Sequence, residues 1–177
     1  ATISDTKGLS LSKRKITLST SGVVPKIQKF KYETDVNLAI SLHAVFDNVR
    51  DKLVPINRKW PIAELMKSLK QYSEFKIKKR ITIEYIMLKD VNDSIKDAKE
   101  LIKLIKPLKS KVNLIPFNPW PGSLYEVSSK EKIDIFRKYI YEKGNVIATV
   151  RSPRGDDILA ACGQLKSIKA QKVKELL

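Results

Sequence analysis

Hydroxyl, imidazole and amide side chains stand where the sequence predicts that β-strands end. Ser19 begins a Ser-Thr-Ser-Gly run, Ser41-Leu42-His43 follows strand-forming residues, and Asn118 lies in a segment that contains three prolines. Hydroxyls and free backbone N–H groups at such positions can bind a carboxylate, a ribose or a phosphate, and an amide can read a base or a ribose. A simple turn, a packed lone histidine and a rigid proline loop are the alternative interpretations.

The single cysteine, Cys162, is a candidate of another kind. Its neighbours Ala160, Ala161 and Gly163 are small and leave a thiol accessible, and nearby arginines would favour the thiolate. Nucleophilic chemistry at this sulfur is one interpretation, and an inert packing cysteine is the other. One cysteine forms no internal disulfide, zinc finger or cysteine-ligated iron–sulfur cluster.

The elements that must position these residues alternate along the chain. β-rich runs and apolar residues at helical spacing predict strands over 15–20, 36–41, 80–88, 111–116 and 145–150, and helices over 61–72, 93–105, 128–144 (opening on a capping box at 128–131) and 165–177. Several strands are nearly continuous apolar runs, which is typical of burial on both faces. The alternation predicts an α/β fold with mostly parallel strands and flanking helices, in which ligands bind where strands end.

The composition indicates a basic protein that binds a polyanion. The 177 residues suit about one domain, 42% of them are hydrophobic, and 35 Lys+Arg against 19 Asp+Glu give a formal net charge of +16. This excludes a wholly disordered chain and favours nucleic acid as partner. Cations mixed with aromatics, as at Trp60 and around Phe75, could stack bases or form a solvated helix face. No apolar run is long enough to span a bilayer and no signal-peptide pattern opens the chain, so we expect no membrane partner and a cytoplasmic location.

Six segments stand in the order and at the spacing of one known family. They cover residues 15–25, 38–44, 54–57, 83–88, 113–122 and 154–165. From about Lys13 onward, the chain resembles the RlmN-type dual-specificity RNA methyltransferases, a branch of the radical S-adenosylmethionine (SAM) enzymes. The resemblance implies that residues 1–177 are the C-terminal portion of a radical SAM catalytic domain, a partial (β/α) barrel.

The resemblance also implies a reaction and a set of site residues. Such enzymes methylate C2 of an adenine in 23S rRNA and in tRNA through a methylated cysteine, which here corresponds to Cys162. Ser19, Ser41, Leu42, His43 and Asn118 match the SAM-contacting positions. A second SAM is cleaved at a 4Fe-4S cluster, which a flavodoxin-type partner reduces.

The chain departs from the family pattern in what it lacks. Its sequence contains no Cys-x-x-x-Cys-x-x-Cys cluster motif, no Gly-Glu-Pro motif and no second cysteine. Val45-Phe46 stands where many relatives have Pro-Asn. We therefore expect a piece of such an enzyme without its cluster-binding half and N-terminal RNA-binding domain, either truncated or the product of a split or decayed gene, and we expect the isolated chain to be inactive. The alternative is a non-catalytic basic α/β RNA-binding module. A third interpretation, a non-radical barrel enzyme, is disfavoured because His43 is a lone histidine without an acid–base or metal-binding cluster in the sequence.

Overall fold

The structure, a computed structural model, describes residues 10–120 and 122–151. The chain enters through a 3-10 turn over Lys13–Lys15 and has another over Pro55–Arg58. The strands are β1 (Thr17–Thr20), β2 (Asn37–Ser41), β3 (Ile81–Met87), β4 (Ser110–Pro116) and β5 (Ala148–Val150). The helices are α1 (Val24–Glu33), α2 (Asp47–Leu53), α3 (Ile62–Phe75), α4 (Ile95–Ile105) and α5 (Lys130–Gly144).

All strands of the described sheet are parallel, and their spatial order follows the chain, β1-β2-β3-β4-β5. Each connection between neighbouring parallel strands crosses over with the same hand, so consecutive connections place their helices on one side of the sheet. This is the winding of a β/α barrel rather than of a doubly wound sheet. The predicted α/β class with mostly parallel strands and flanking helices is confirmed.

The hydrophobic core lies between one face of this sheet and the helices. Alternate residues of the central strands, such as Ile40, Ile83 and Val112, are fully buried in it together with Leu65, Leu101 and Phe136 from the helices. On β3 the residues between the buried ones are half-exposed. The expectation of strands buried on both faces therefore fits the middle of β2, where Leu38, Ala39 and Ile40 are all buried, but not β3, because the described helices cover one side of the sheet.

Other elements differ from the sequence predictions. Helices α1 and α2 were not predicted at all. Helix α5 is capped by Ser129, whose side chain accepts from the N–H of Lys132, and not by Ser128, which instead donates to the buried carboxylate of Asp93. The predicted helix over 165–177 lies outside the described residues. None of the helices in the described ranges has the length and apolar character needed to cross a bilayer.

Candidate functional site

A row of polar side chains crosses the open face of the sheet. Ser41 pairs in register with Glu84, Glu84 with Asn113, and Asn113 with Thr149. Ser19 on β1 completes this polar row, because its Oγ donates a 2.8 Å hydrogen bond to Glu84 Oε2. The row lies on the face that none of the described helices covers, which leaves it open to a ligand in this part of the chain.

Glu84 joins the two predicted serines. Its Oε2 accepts from Ser19 at 2.8 Å and from Ser41 at 3.4 Å, so hydroxyls of two different strands converge on one carboxylate oxygen. A carboxylate held this way accepts hydrogen bonds only, which suits a diol or an ammonium group. Sequence reasoning missed Glu84. Its signal was a single acidic residue in an apolar strand.

His43 follows β2 in a left-handed backbone conformation, with φ of 60°. Its Nδ1 accepts from the N–H of Ile86 at 3.2 Å, which assigns the ring proton to Nε2. Burial lowers the pKa of His43 to about 4, Glu84 opposes this, and the positive charge of Arg50 adds to it. The ring is therefore neutral at pH 7 and acts there as an N–H donor through Nε2.

Leu42 separates the two polar groups at the end of β2. Its side chain is fully buried in the core, its N–H donates to the carbonyl of Glu84, and its own carbonyl accepts from Arg50. The residues of the predicted segment Ser41-Leu42-His43 thus have different roles. Ser41 donates to Glu84 and His43 accepts from the N–H of Ile86, while Leu42 anchors the segment in the core.

Arg50 on α2 ties the carboxyl ends of β1 and β2 together. Its guanidinium is fully buried and donates to the carbonyl oxygens of Ser21 at 2.7 Å, Ser41 at 3.3 Å and Leu42 at 3.0 Å. A further N–H donates to Asn57 Oδ1 at 2.8 Å. The position of the predicted site residues therefore depends on one buried cation that sequence reasoning missed.

Two carboxylates are linked to that cation through Asn57. Burial lowers the pKa of Arg50, and the charges of Asp47 and Asp51 oppose the shift. The Asn57 amide donates to both carboxylates, at 2.8 and 2.7 Å. Arg50, Asn57 and the two aspartates form one hydrogen-bonded network, which we call the arginine clamp.

Asn118 lies in the proline-rich loop after β4, at the same end of the sheet. It lines a cavity of about 640 Å³ together with Phe117, Ile133 and Arg151. Phe117 packs edge-on against Trp120 with ring centroids 5.3 Å apart, as expected for a rigid turn. Among the described residues, no hydrogen bond joins Asn118 to the polar row. The structure places Asn118 at the predicted end of the sheet but not in contact with Ser19 or Ser41.

Cys162 lies outside the described residues. In residues 10–120 and 122–151, no group of three or more histidine, cysteine, aspartate or glutamate side chains could hold a metal. The whole sequence contains one cysteine, so the ligand set of a cysteine-held iron–sulfur cluster does not fit this chain. The polar row, by contrast, offers the carboxylate and hydroxyls that suit a ribose.

Comparison with known proteins gives strong matches over nearly all of the chain. It is 59% identical over 164 residues to the dual-specificity RNA methyltransferase RlmN of Sinorhizobium fredii and, over the same length, to that of Brucella ovis. The RlmN of Methylorubrum populi is 56% identical over 167 residues. These matches cover 93–94% of this chain, which spans about two fifths of the length of these curated relatives. No family model matches the sequence.

Solved structures agree with the sequence comparison. A radical SAM methyltransferase from Sphaerobacter thermophilus superposes with a TM-score of 0.86 at 43% identity, over 92% of this chain and 47% of that one. A domain of a pyruvate-formate lyase-activating enzyme from Bacteroides vulgatus shares the fold, with a TM-score of 0.61 at 15% identity over 77% of this chain and 80% of its own. By sequence and by fold, the chain matches RlmN-type radical SAM methyltransferases over about two fifths of the length of the curated relatives.

Proposed function

We propose that this chain is the SAM-binding, methyl-carrying portion of an enzyme that methylates C2 of adenine in 23S rRNA and tRNA. The observation that carries the proposal is the convergence of Ser19 and Ser41 on the Glu84 carboxylate. It stands on the open face of a sheet whose sequence is 59% identical to proteins named dual-specificity RNA methyltransferases.

The polar row supplies the groups that would hold the nucleoside part of SAM. Glu84 accepts hydrogen bonds from the ribose hydroxyls, and Ser19 and Ser41 orient its carboxylate. The neutral ring of His43 donates through Nε2 to an acceptor on the ligand. Asn118 offers an amide from the neighbouring loop, as the resemblance implies. When bound, SAM supplies methyl groups and, at a reduced 4Fe-4S cluster in the whole enzyme, the oxidising radical.

Cys162 is the proposed carrier of the methyl group. Adenine C2 is electron-poor and has no acidic proton, so direct polar transfer to it is unfavourable, and a thiolate is a far better nucleophile. Small neighbours on both sides of Cys162 leave its sulfur accessible. The cluster ligands, the RNA-binding domain and the contacts to a flavodoxin-type reductant would come from the rest of the enzyme. The reaction would take place in the cytoplasm, where its RNA substrates are.

A chimaera tests the role of Glu84. The chain is joined behind the preceding portion of the Brucella ovis relative, and SAM affinity is measured by calorimetry. Glu84→Gln keeps the shape but removes the charge, and we expect SAM to bind roughly tenfold more weakly, the effect of about 1.4 kcal/mol from a lost charge-assisted hydrogen bond. Glu142→Gln, an exposed change on α5, is the matched control and should leave the affinity unchanged. Equal affinities for both variants would contradict the proposed site.

Cys162→Ala in the same chimaera separates the enzyme from the alternative, a non-catalytic RNA-binding module. Loss of adenine methylation with RNA and SAM affinities retained supports the carrier role. Methylation that persists without this thiol would exclude it. A chimaera that binds RNA but never methylates, even with Cys162 present and the cluster loaded, would favour the binding module.

A further inference from the structure

A basic cleft lies at the amino ends of the strands, away from the residues proposed to bind SAM. It has a volume of about 810 Å³, and its lining includes Lys13, Arg14, Phe75, Lys76, Lys78 and Lys79. The first two precede β1, and the others belong to the end of α3 and the turn that leads into β3. Since Ser41 and His43 stand at the carboxyl end of β2, this cleft is a separate site.

The basic cleft carries a large excess of positive charge. Five of its described lining residues are cationic and one, Asp35, is acidic. Asp35 is already engaged, because Lys76 Nζ lies 2.7 Å from its carboxylate and Lys79 Nζ donates to its backbone carbonyl. The hydrogen bond and charge of Lys76 lower the pKa of Asp35, with smaller contributions from Lys79 and Lys13. The carboxylate therefore stays ionised and fully paired.

The remaining cations have no such partner. No ion pair among the described residues involves Lys13, Arg14 or Lys78. All are exposed, and the backbone of Arg14 is tied to β2, because the Asn37 side chain donates to its carbonyl at 2.7 Å. Positive charges that line one cleft without carboxylate partners attract a polyanion, and its counterions are released on binding.

Exposed aromatic rings accompany these charges. Phe75 is 51% exposed and Tyr32 is 67% exposed, and their rings meet edge-on with centroids 4.9 Å apart. Lys31 lies over Tyr32 at 4.7 Å, and Lys76 lies over Phe75 at 5.5 Å from the ring centroid. Large rings left in solvent beside cations are the platform on which unpaired bases stack, whereas a duplex or an acidic peptide would need only the charge.

We propose that the basic cleft binds a single-stranded segment of RNA at a distance from the adenine that is methylated. Lys13, Arg14 and Lys78 contact phosphates, and Phe75 with Tyr32 offers faces and edges to one or two bases. The inference rests on the proposed function only in taking RNA as the polyanion. The enzyme would then have a second RNA-binding site, at the end of the sheet opposite the residues proposed to bind SAM.

Oligonucleotide binding to the 177-residue chain tests the charge component. Anisotropy of a labelled 12-nucleotide single-stranded RNA is followed from low to high salt without SAM, so failure of the SAM site cannot affect the result. Each single-strand phosphate contact contributes about 0.7 to the slope of log affinity against log salt, so Lys13→Gln with Lys78→Gln should lower it by about 1.4. Lys99→Gln with Lys143→Gln removes the same charge from exposed positions on α4 and α5 and should leave the slope nearly unchanged.

Phe75→Leu tests the stacking component while keeping an apolar side chain at the end of α3. We expect the single strand to bind at least about fivefold more weakly at an unchanged salt slope, since stacking on a ring is lost and no charge is removed. A 12-base-pair RNA duplex should show no such loss. Equal effects of the cleft and control lysine pairs would overturn the proposal, as would a Phe75→Leu protein that binds the single strand as tightly as the parent.

Discussion

The carboxyl end of the sheet and its amino end hold their charged groups in different ways. At the carboxyl end, Arg50 is fully buried and its guanidinium is committed to three carbonyl oxygens and the Asn57 side chain. At the amino end, Lys76 meets Asp35, whose side chain is 65% exposed, and neighbouring cations face solvent without carboxylate partners in the described part of the chain.

The difference separates two kinds of recognition. A buried charge is stable only when every hydrogen bond around it is made, so the arginine clamp fixes the strand ends in one arrangement. A small cofactor needs such fixed positions. Solvated lysines adjust their conformations at little cost, and this suits a polymer whose phosphates present many arrangements. Breaking each kind of contact should therefore have very different effects on stability.

Replacing Arg50 of the arginine clamp should produce the largest change in stability. Arg50→Leu leaves the buried Asn57 side chain and the carbonyls of Ser41 and Leu42 without their donor. Because each unsatisfied buried acceptor costs about 1–3 kcal/mol, we expect the free energy of unfolding to fall by about 3–5 kcal/mol. Urea unfolding followed by circular dichroism measures it. Lys52→Leu, an exposed change on the same helix, should cost less than about 0.5 kcal/mol. Similar losses for the two variants would show that the clamp is not a structural centre.

The second largest effect should be the loss of stability at low pH that is due to His43. Its pKa is about 4 in the folded protein against 6.5 as the reference, so the unfolded chain binds the proton more readily. Stability from this group is complete above pH 6.5 and is lost as the pH falls from 6.5 toward 4. The loss at pH 4.5 should be about 2–3 kcal/mol relative to pH 7.

A matched variant separates the pH-dependent stability due to His43 from that due to the titration of carboxylates. In His43→Asn, the Asn side-chain oxygen can accept from the N–H of Ile86, and Asn tolerates the φ of 60° at this position. The pH-dependent difference in unfolding free energy between the two proteins should follow the window of 6.5 to 4. A difference that is flat across this window would refute the neutral, buried histidine.

Removing the surface pair at the other end should have the smallest effect. Asp35 is 65% exposed, and in Asp35→Asn the amide oxygen still offers Lys76 an acceptor, so the melting temperature should change little. The same change removes the one described acidic lining residue of the basic cleft, so single-stranded RNA should bind more tightly. Glu33→Gln, at an exposed pair with Lys29 on α1, is the control and should leave RNA affinity unaltered. A loss of stability comparable with that of the clamp variant, measured in the same urea unfolding, would contradict the distinction between the two ends.

The strands were predictable because their patterns are local, whereas α1 and α2 were not. Helix α1 buries only Ile27 fully, so its apolar spacing is weak. In α2 the residue that faces the interior is Arg50, and a charged residue at a core position defeats any search for apolar periodicity. Helix α5 was predicted one residue out at its cap, because Ser128 and Ser129 present the same hydroxyl and only the fold gives one of them to Asp93.

The site residues that stand at strand ends could be predicted from the sequence. Those whose role depends on contacts between different strands and helices could not. Ser19, Ser41 and His43 stand at positions that parallel sheets use for ligands. Glu84 is 65 residues from Ser19, and Arg50 is 29 residues from Ser21, so their contacts depend on the register of β1, β2 and β3 and on packing. No local pattern encodes such distances. The role of Cys162 stays a prediction, since it lies outside the described residues.

The order of the strands also bears on how the protein is made. Each described strand from β2 to β5 pairs with the one that precedes it along the chain. During synthesis on the ribosome, every newly emerged strand therefore finds its neighbour already present, and no earlier strand must wait for a distant later one. Folding can proceed by successive addition of β/α units in the direction of translation, which limits the time during which apolar strand edges are exposed to other nascent chains.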